Sequence, residues 1–340
     1  MKAKELLQLY AEGRRDFRGV NLQRQSFQNE ILSEADFSGA DIRGANLSNA
    51  NLTRANFTKA NLMKANLHRA NLAEANLTEA IFTLANVSDA KLNYANLNRS
   101  NFSSTQLIEA NLNGANLSES QLVKADLTYA SLMYANLENA DLTQAILIET
   151  NFTKANLCGV DFSAANAIGA TFKGSKITGA CIKNWNVNLK TNFNNVVCDY
   201  VYLEINKKER RPHNSNKKFE PGGFSKLVEQ FLETVDLIFR NGGEKSNQQQ
   251  NQIINHNTTN NQQVNLTITE NQNPTTYHQT GPMGIGVNYG GIKDNPKVAG
   301  IINEAEQQNL VNAVAQVQQI LQQLSQTYPT ENDVGEDSDR

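Results

Sequence analysis

Residues 45–67 read ANLSNANLTRANFTKANLMKANL, with a leucine or phenylalanine at every fifth position. The same spacing of apolar central residues continues without interruption from Phe17 to Ile182, which makes thirty-four consecutive units. Two residues before each centre, from Ala35 to Ala180, twenty-four of thirty positions are alanine. A repeat this regular predicts a solenoid, in which each unit buries its apolar side chain only by stacking on its neighbours.

A period of five fits neither a continuous helix nor a continuous strand. It fits short extended segments joined by corners, because residues two apart in an extended segment share a face. Ala45 and Leu47 then point inward, whereas Asn46, Ser48 and Asn49 point outward or form the bend. Asn suits such bends because its side chain can hydrogen-bond to nearby backbone. The repeat therefore predicts a β-solenoid.

The number of segments in each coil is indicated by the phenylalanines and the charges. Phenylalanines recur twenty residues apart, as Phe17, Phe37 and Phe57, as Phe82 and Phe102, and as Phe152 and Phe172. Outward charges alternate in sign at the same spacing, as Glu34, Arg54 and Glu74, and as Lys59, Glu79, Arg99 and Glu119. Twenty residues are four segments, so we predict a four-sided coil with stacked rings inside and ladders of ion pairs outside.

The runs ANLSN (45–49) and ANLMK (60–64) resemble the A(D/N)LXX signature of the pentapeptide-repeat family. The resemblance covers about half of the chain and implies an all-β solenoid, the right-handed quadrilateral β-helix of that family. The stretch CDYVYLE (198–204), followed by ERRP (209–212) and PGGF (221–224), looks like the C-terminal continuation of certain cyanobacterial members. Family members differ widely in function, so the resemblance implies a fold and not an activity.

The sequence predicts seven regions along the chain. They are an N-terminal cap helix (1–15), the repeat solenoid (16–204), a basic loop (205–223), an amphipathic helix (224–241), a low-complexity Asn/Gln/Gly-rich linker (242–297), a coiled-coil-like helix (298–328) and a disordered tail (329–340). Arg15, Gln25 and Glu30 stand where alanine is expected, and burying them is costly. We therefore expect the first coil to be distorted up to about residue 34. One extra residue after Val187 resets the centres to Phe193 and predicts a bulge.

Composition argues against several classes of function. The formal net charge of −3 indicates neither a nucleic-acid nor a membrane partner. The first ten residues lack the apolar run of a signal peptide, and no stretch approaches a transmembrane length. The three cysteines, Cys158, Cys181 and Cys198, have no CxxC spacing and suggest neither a disulfide framework nor a zinc site. We expect a cytoplasmic protein without cofactor or metal.

The repeat offers no convincing catalytic group. His68 is the only histidine between Phe17 and Ile182, and the other three histidines follow Leu203 without metal-ligand spacing. The glycines of GPMGIGVNYGG (281–291) are not followed by the Lys-Ser/Thr of a phosphate-binding loop. The basic residues between Lys207 and Lys218 lack interleaved aromatics. The sequence therefore predicts a protein that is not an enzyme.

Apolar residues that the repeat points outward form the candidate interaction surface. Its members are Ile108, Tyr129, Met133, Tyr134, Ile146, Ile148 and Ile168. Ile108, Ile148 and Ile168 fall in one outward column at multiples of twenty residues, with Thr128 between them. Exposed apolar patches of this kind mark interfaces. The sequence leaves two occupants open, the chain's own helix at 224–241 and a foreign protein.

A second candidate contact is an apolar seam near the C-terminus. It consists of Leu310, Val314, Val317, Leu321 and Leu324, spaced four and three residues apart. No charge occurs between Glu306 and Glu331, which is unusual for a free surface helix. The spacing is that of a short coiled coil and predicts a homo-oligomer.

The function predicted from these patterns is a non-enzymatic scaffold, a rigid rod that presents a surface to a protein partner while its C-terminal helix drives self-association or recruitment. The alternative is a DNA mimic that binds a type II topoisomerase, as some pentapeptide-repeat proteins do. Mimicry requires a strongly acidic rod. Between Asp16 and Ile182 there are fifteen acids and thirteen bases, a net of −2. The charge therefore favours the scaffold.

Overall fold

The computed structural model describes residues 1–232, 264–266, 268–269 and 284–285. Within them the chain forms helix α1 (Ala3–Ala11) and then a solenoid of five-residue turns. The solenoid is followed by strands β1 (Trp185–Val187), β2 (Val201–Glu204) and β3 (Lys208–Arg211), and residues 223–232 are helical (α2). Three further strands are β4 (Val264–Leu266), β5 (Ile268–Thr269) and β6 (Gly284–Ile285). Among the described residues, no helix has the length and apolarity needed to span a membrane.

Parallel bridges join each coil to the next, twenty residues further along. They run from Asp16↔Asp36 to Asn166↔Asn186 without a change of spacing. Backbone bonds to the neighbouring coils repeat in each segment: for example, the N–H of Phe57 donates to the carbonyl of Asn76 at 2.7 Å, and that of Lys59 to Thr78 at 2.9 Å. Because twenty residues are four five-residue segments, the predicted four-sided coil is confirmed.

The interior contains the central residues and the alanines that precede them. All central residues from Phe17 to Ile182 are at most 5% exposed. The phenylalanines stack as the twenty-residue spacing predicts, with ring centroids 5.2 Å apart for Phe37 and Phe57 and 4.4 Å apart for Phe82 and Phe102. Offset rings at such distances attract one another in addition to burying apolar area. The core is therefore one continuous column along the rod.

Each corner places one residue in the left-handed backbone region, two positions after the centre. Lys124, for example, has a φ of 59° and Tyr129 also has 59°. Residues with a branched Cβ are sterically excluded from this region. In the sequence, no corner position from Gly19 to Asn184 is Val, Ile or Thr, although these residues are common one position earlier. The corner geometry thus explains a restriction that hydrophobicity does not.

The expected distortion of the first coil is wrong. The bridges are regular from Asp16 onward, and Phe27 and Leu32 are fully buried. Arg15 lies at the N-terminal end of the rod and stays exposed, with its guanidinium stacked on the ring of Tyr10 in helix α1 at 3.8 Å. Gln25 instead accepts a hydrogen bond from the N–H of Ala3, at the start of α1. Polar side chains are tolerated there because helix α1, and not another coil, lies next to them.

The last coil contains the extra residue. Bridges after Asn186 are spaced by twenty-one residues, from Thr171↔Asn192 to Cys181↔Tyr202. The turn at Asn188 takes up the insertion, since Thr191 N–H donates to the carbonyl of Asn188 at 2.9 Å. This places the register change where the sequence predicts a bulge.

The chain covers the C-terminal edge of the rod with four separate contacts. Strand β3 pairs antiparallel with β2, and β4 pairs antiparallel with β1 in the register Asn186↔Asn265. The N–H of Phe219 donates to the carbonyl of Asp199, and the hydroxyl of Ser225 in α2 donates to that of Phe193. Uncovered edges invite pairing between molecules, and these contacts occupy them.

The linker predicted over 242–297 contains the short strands β4, β5 and β6, where the sequence predicts only low complexity. Val264, Leu266 and Ile268 alternate with polar residues, which is the period of a strand. The predicted helix at 298–328 and the tail at 329–340 lie outside the described residues. Of the predicted helix at 224–241, the structure describes the part up to residue 232.

Candidate interaction surface

Two adjacent sides of the rod carry the residues of the candidate surface. The Ile148 face is the side whose centres include Leu107, Leu127, Leu147 and Ala167; the Met133 face is the next side, with centres that include Leu92, Leu112, Leu132 and Phe152. Each face ends in a column of corner residues. Tyr129 lies at the corner between the two faces, and Tyr134 lies at the far corner of the Met133 face.

The isoleucine column exists as the sequence predicts. The N–H of Glu109 donates to the carbonyl of Thr128, that of Tyr129 to Ile148, and that of Glu149 to Ile168, each at 2.9 Å. Ile108, Thr128, Ile148 and Ile168 are therefore stacked on consecutive coils, and all four are half-buried. Ile146 lies beside them and is 37% exposed, in a bridge column with Asp126 and Asn166.

Met133 and Tyr134 belong to the second face and not to the isoleucine column. Tyr129 and Tyr134 are 55% and 59% exposed, so both rings are available to a partner. The ammonium of Lys154, one coil further on, lies 5.3 Å from the centroid of Tyr134. The surface consequently wraps around one edge of the rod, with aliphatic side chains on one side and aromatic and cationic groups on the other.

Sequence reasoning missed Tyr94, which is 69% exposed and lies in the same corner column as Tyr134, two coils away. Gly114 stands between them, and a Cβ on this glycine would fall 2.6 Å from Cε1 of Tyr94. The ring of Tyr94 thus occupies the space that a side chain at 114 would fill. The spacing of forty residues, with a glycine midway, was the signal that could have identified it.

Three of the ion pairs that the twenty-residue charge spacing predicts form between consecutive coils, but they do not join into a continuous ladder. Arg54 pairs with Glu74 and Arg99 with Glu119, at 2.9 and 2.8 Å, and Lys59 pairs with Glu79 at 3.6 Å. The predicted ladder is interrupted at Glu79 and Arg99, because Arg99 turns both its Nε and Nη2 toward Glu119. Exposed pairs of this kind stabilise the fold only slightly.

The described residues offer little for catalysis. His68 Nδ1 lies 3.5 Å from Asp89 and 3.2 Å from the carbonyl of Ser88, an arrangement that links two coils. Burial raises the pKa of the Cys181 and Cys198 thiols, which disfavours the nucleophilic thiolate. Within the same part of the chain, no cluster of His, Cys, Asp or Glu could hold a metal ion.

Helix α2 does not cover the candidate surface with its described residues. Phe224 and Val228 instead pack on Trp185, Val187 and Phe193, at the end of the rod. The seam residues are outside the described part of the chain; they are Leu310, Val314, Val317, Leu321 and Leu324. The surface is therefore open on the described rod.

The sequence matches two models of pentapeptide repeats. The pentapeptide-repeat model matches residues 16–54, 31–69 and 70–105, and the pentapeptide-repeat-region model matches residues 95–180. No curated protein matches the chain.

Solved structures of pentapeptide repeat proteins are similar to it. HetL, a pentapeptide repeat protein involved in heterocyst differentiation regulation from the cyanobacterium Nostoc sp. strain PCC 7120, is 32% identical; the match covers 58% of this chain and 92% of HetL, with a TM-score of 0.42. The Nostoc protein alr5209 is 35% identical over 29% of this chain and 80% of its own, with a TM-score of 0.28. QnrB1, a plasmid-mediated fluoroquinolone resistance protein, is 19% identical over 53% of this chain and 80% of its own, with a TM-score of 0.21.

The family follows from the two pentapeptide-repeat models together with the twenty-residue coil, the buried alanine and leucine columns and the corner geometry. The chain belongs to the pentapeptide-repeat family, whose fold is the right-handed quadrilateral β-helix.

Proposed function

We propose that this protein is a non-enzymatic scaffold whose rod binds a protein partner through the candidate surface, and whose C-terminal segment mediates self-association or recruitment. Proteins of this family generally act as interaction modules. The observation that carries the proposal is that the described part of the chain covers the C-terminal edge of the rod but leaves the isoleucine column and three tyrosines open. A cytoplasmic location belongs to the same proposal.

The rod suits this role because its backbone is held by bonds in every coil. A surface built on such a frame loses little conformational freedom when it binds, so more of the contact energy is retained as affinity. Tyr94, Tyr129 and Tyr134 add large side chains with few rotatable bonds, which are common at the centre of interfaces.

A photo-crosslinking experiment in cells tests the surface. A photoreactive residue at position 146 should capture a defined protein, and Ile148→Asp should abolish that product because it introduces a charge into the apolar column. Val123→Asp is the matched control, since Val123 is an aliphatic residue at the equivalent position on the neighbouring side. Equal capture by both variants would contradict the proposal, provided that their melting temperatures agree.

The topoisomerase-directed DNA mimic stays the alternative. A mimic needs a strong acidic field along the whole rod. The net charge between Asp16 and Ile182 is only −2, and Glu74, Glu79 and Glu119 are each paired with a base on the preceding coil. A gyrase supercoiling assay separates the two functions. Inhibition or protection at stoichiometric protein would favour the mimic over the scaffold.

A further inference from the structure

Charge is divided between the two faces that meet at Tyr129. Over residues 85–169, the Ile148 face carries Asp89, Glu109, Asp126 and Glu149 and no lysine or arginine. Over residues 90–174, the Met133 face carries Lys91, Lys154 and Lys173 and no acid. The separation occurs in the same stretch of the rod that bears the isoleucines and tyrosines.

Three of the four acids lack a cationic partner within the described part of the chain, although Oδ1 of Asp126 accepts hydrogen bonds from the N–H and hydroxyl of Thr128. Asp89 lies within 3.9 Å of Arg69 on the preceding coil. Among the described residues, no ion pair includes Glu109, Asp126 or Glu149. Lys124 borders the face at its other corner, across the isoleucine column from Glu109 and Glu149. The column therefore presents three isoleucines and one threonine, with Glu109 and Glu149 along one side.

Two of these acids, Glu109 and Glu149, lie next to the isoleucine column, so a partner that packs on the isoleucines can also contact them. Glu109 directly follows Ile108, and Glu149 directly follows Ile148. Gly169 stands at the next corner position, and Cγ of Glu149 lies 3.1 Å from where a Cβ on this glycine would be. The stem of Glu149 thus extends along the corner beside Ile168.

We propose that the Ile148 face binds a basic amphipathic helix of a protein partner, with aliphatic side chains of the helix on Ile108, Ile146, Ile148 and Ile168 and its lysines or arginines on Glu109, Asp126 and Glu149. This assignment rests on the proposed function and names the chemistry of the partner. It combines the two determinants of a helix-binding surface, an apolar stripe and a charged rim.

A helix fits better than an added strand. The backbone groups of the column are already bonded to the coils on either side, as for Tyr129 N–H with Ile148, so the face offers no free edge for strand pairing. Coils stack about 4.8 Å apart and one helical turn rises about 5.4 Å, so one apolar residue per turn meets about one rung. The three coil steps from Ile108 to Ile168 span roughly 14 Å, which about ten helical residues cover.

The chain itself and a second copy are poorer occupants. Helix α2 packs on the end of the rod, against Trp185 and Phe193. The C-terminal seam is itself uncharged, and the segment after Lys297 carries seven acids and a single base, Arg340, so it offers no basic rim to meet Glu109 and Glu149. Two copies joined through their Ile148 faces would likewise oppose acid to acid.

The test uses full-length protein and a fluorescent synthetic helix of about 18 residues, built of leucine once per turn and lysine elsewhere. We expect saturable binding by anisotropy, weakened about fivefold or more by Glu149→Lys and further by Ile148→Asp, and reduced by added salt. Glu138→Lys makes the same charge change on the opposite side of the rod and should alter affinity by less than about twofold. A scrambled peptide of equal composition and a leucine–glutamate peptide should bind much more weakly.

Equal weakening by Glu138→Lys and Glu149→Lys, or equal binding of the scrambled or acidic peptide, would overturn the proposal. So would self-association of the rod that Glu149→Lys abolishes, because the Met133 face of a second copy would then be the occupant. If the crosslinked cellular product is lost in Ile148→Asp but kept in Glu149→Lys, the interaction surface stands and the basic-helix assignment fails.

Discussion

The indole ring of Trp185 stacks on the ring of Phe162, with centroids 4.9 Å apart and planes inclined by 19°. Trp185 stands at a position that alanine occupies in most repeats, and the coil before it has the small residue Ala167 at the centre of the same face. Phe172 meets the indole edge-on at 5.1 Å. The side chain of Trp185 thus fills the interior of the last regular coil, at the end of the rod on which α2 packs.

Ala167→Leu restores the repeat pattern, but we expect it to destabilise the protein by about 1–3 kcal/mol because the interior beside Trp185 is already filled. Trp185→Ala should cost about 3–5 kcal/mol by leaving a cavity under α2. The double variant should be more stable than the sum of the single effects predicts. Denaturant unfolding measures all three. A stabilising Ala167→Leu would show that the space is free.

Ser175→Ala should stabilise the protein by about 1 kcal/mol, because the buried Ser175 hydroxyl has no hydrogen-bond partner. Ser120 provides the control, since its equally buried hydroxyl donates to the carbonyl of Leu117 at 2.7 Å. Ser120→Ala should leave the melting temperature unchanged or slightly lower. If Ser175→Ala and Ser120→Ala changed the melting temperature equally, the unpaired hydroxyl of Ser175 would not explain the effect.

The Asp41–Arg43 pair should make stability depend on acid pH. Hydrogen bonds from the Arg43 guanidinium, at 2.6 and 2.8 Å, lower the pKa of Asp41 from 3.8 to about 2. A lowered carboxyl pKa contributes stability that is present above the unfolded pKa and is lost as the pH falls toward the folded one. Arg43→Gln should therefore lower the melting temperature at neutral pH and have little effect near pH 2. Arg24→Gln, on the same side of the rod, should show no such change with pH.

We expect the full-length protein to be oligomeric and residues 1–240 to be monomeric, because the predicted seam from Leu310 to Leu324 is apolar and its surroundings lack charge. Light scattering on both proteins measures this. Val317→Asp and Leu321→Asp should each dissociate the full-length oligomer. A monomeric full-length protein at tens of micromolar would show that the seam has another partner.

The coil was predictable from sequence because its determinants are periodic and local. The phenylalanine columns and the register change before Phe193 needed only residue spacing, since each residue contacts its equivalents in neighbouring coils. The isoleucine column was found for the same reason. Residue spacing also identified Ile146. The exposure of Tyr94 depends in addition on Gly114, which leaves room for the tyrosine ring on the next coil.

Features at the two ends were not predictable in this way. The regularity of the first coil depends on helix α1 lying beside Gln25 and Arg15, a contact between different types of element. The position of α2 depends on the apolar end formed by Trp185 and Phe193, and an amphipathic pattern does not specify which apolar surface it covers. The pairing of Asn186 with Asn265 joins residues far apart in sequence that share no repeat.

In a four-sided coil, the position of an outward residue is defined by two independent coordinates. A step of five residues changes the side of the rod, and a step of twenty changes only the position along its axis. Duplicating or deleting one whole coil would move a binding group along the rod and keep its orientation. Adding a single five-residue segment would rotate everything beyond it by a quarter turn. Interaction surfaces on this scaffold can therefore be rearranged by changes in repeat number, without designing a new core.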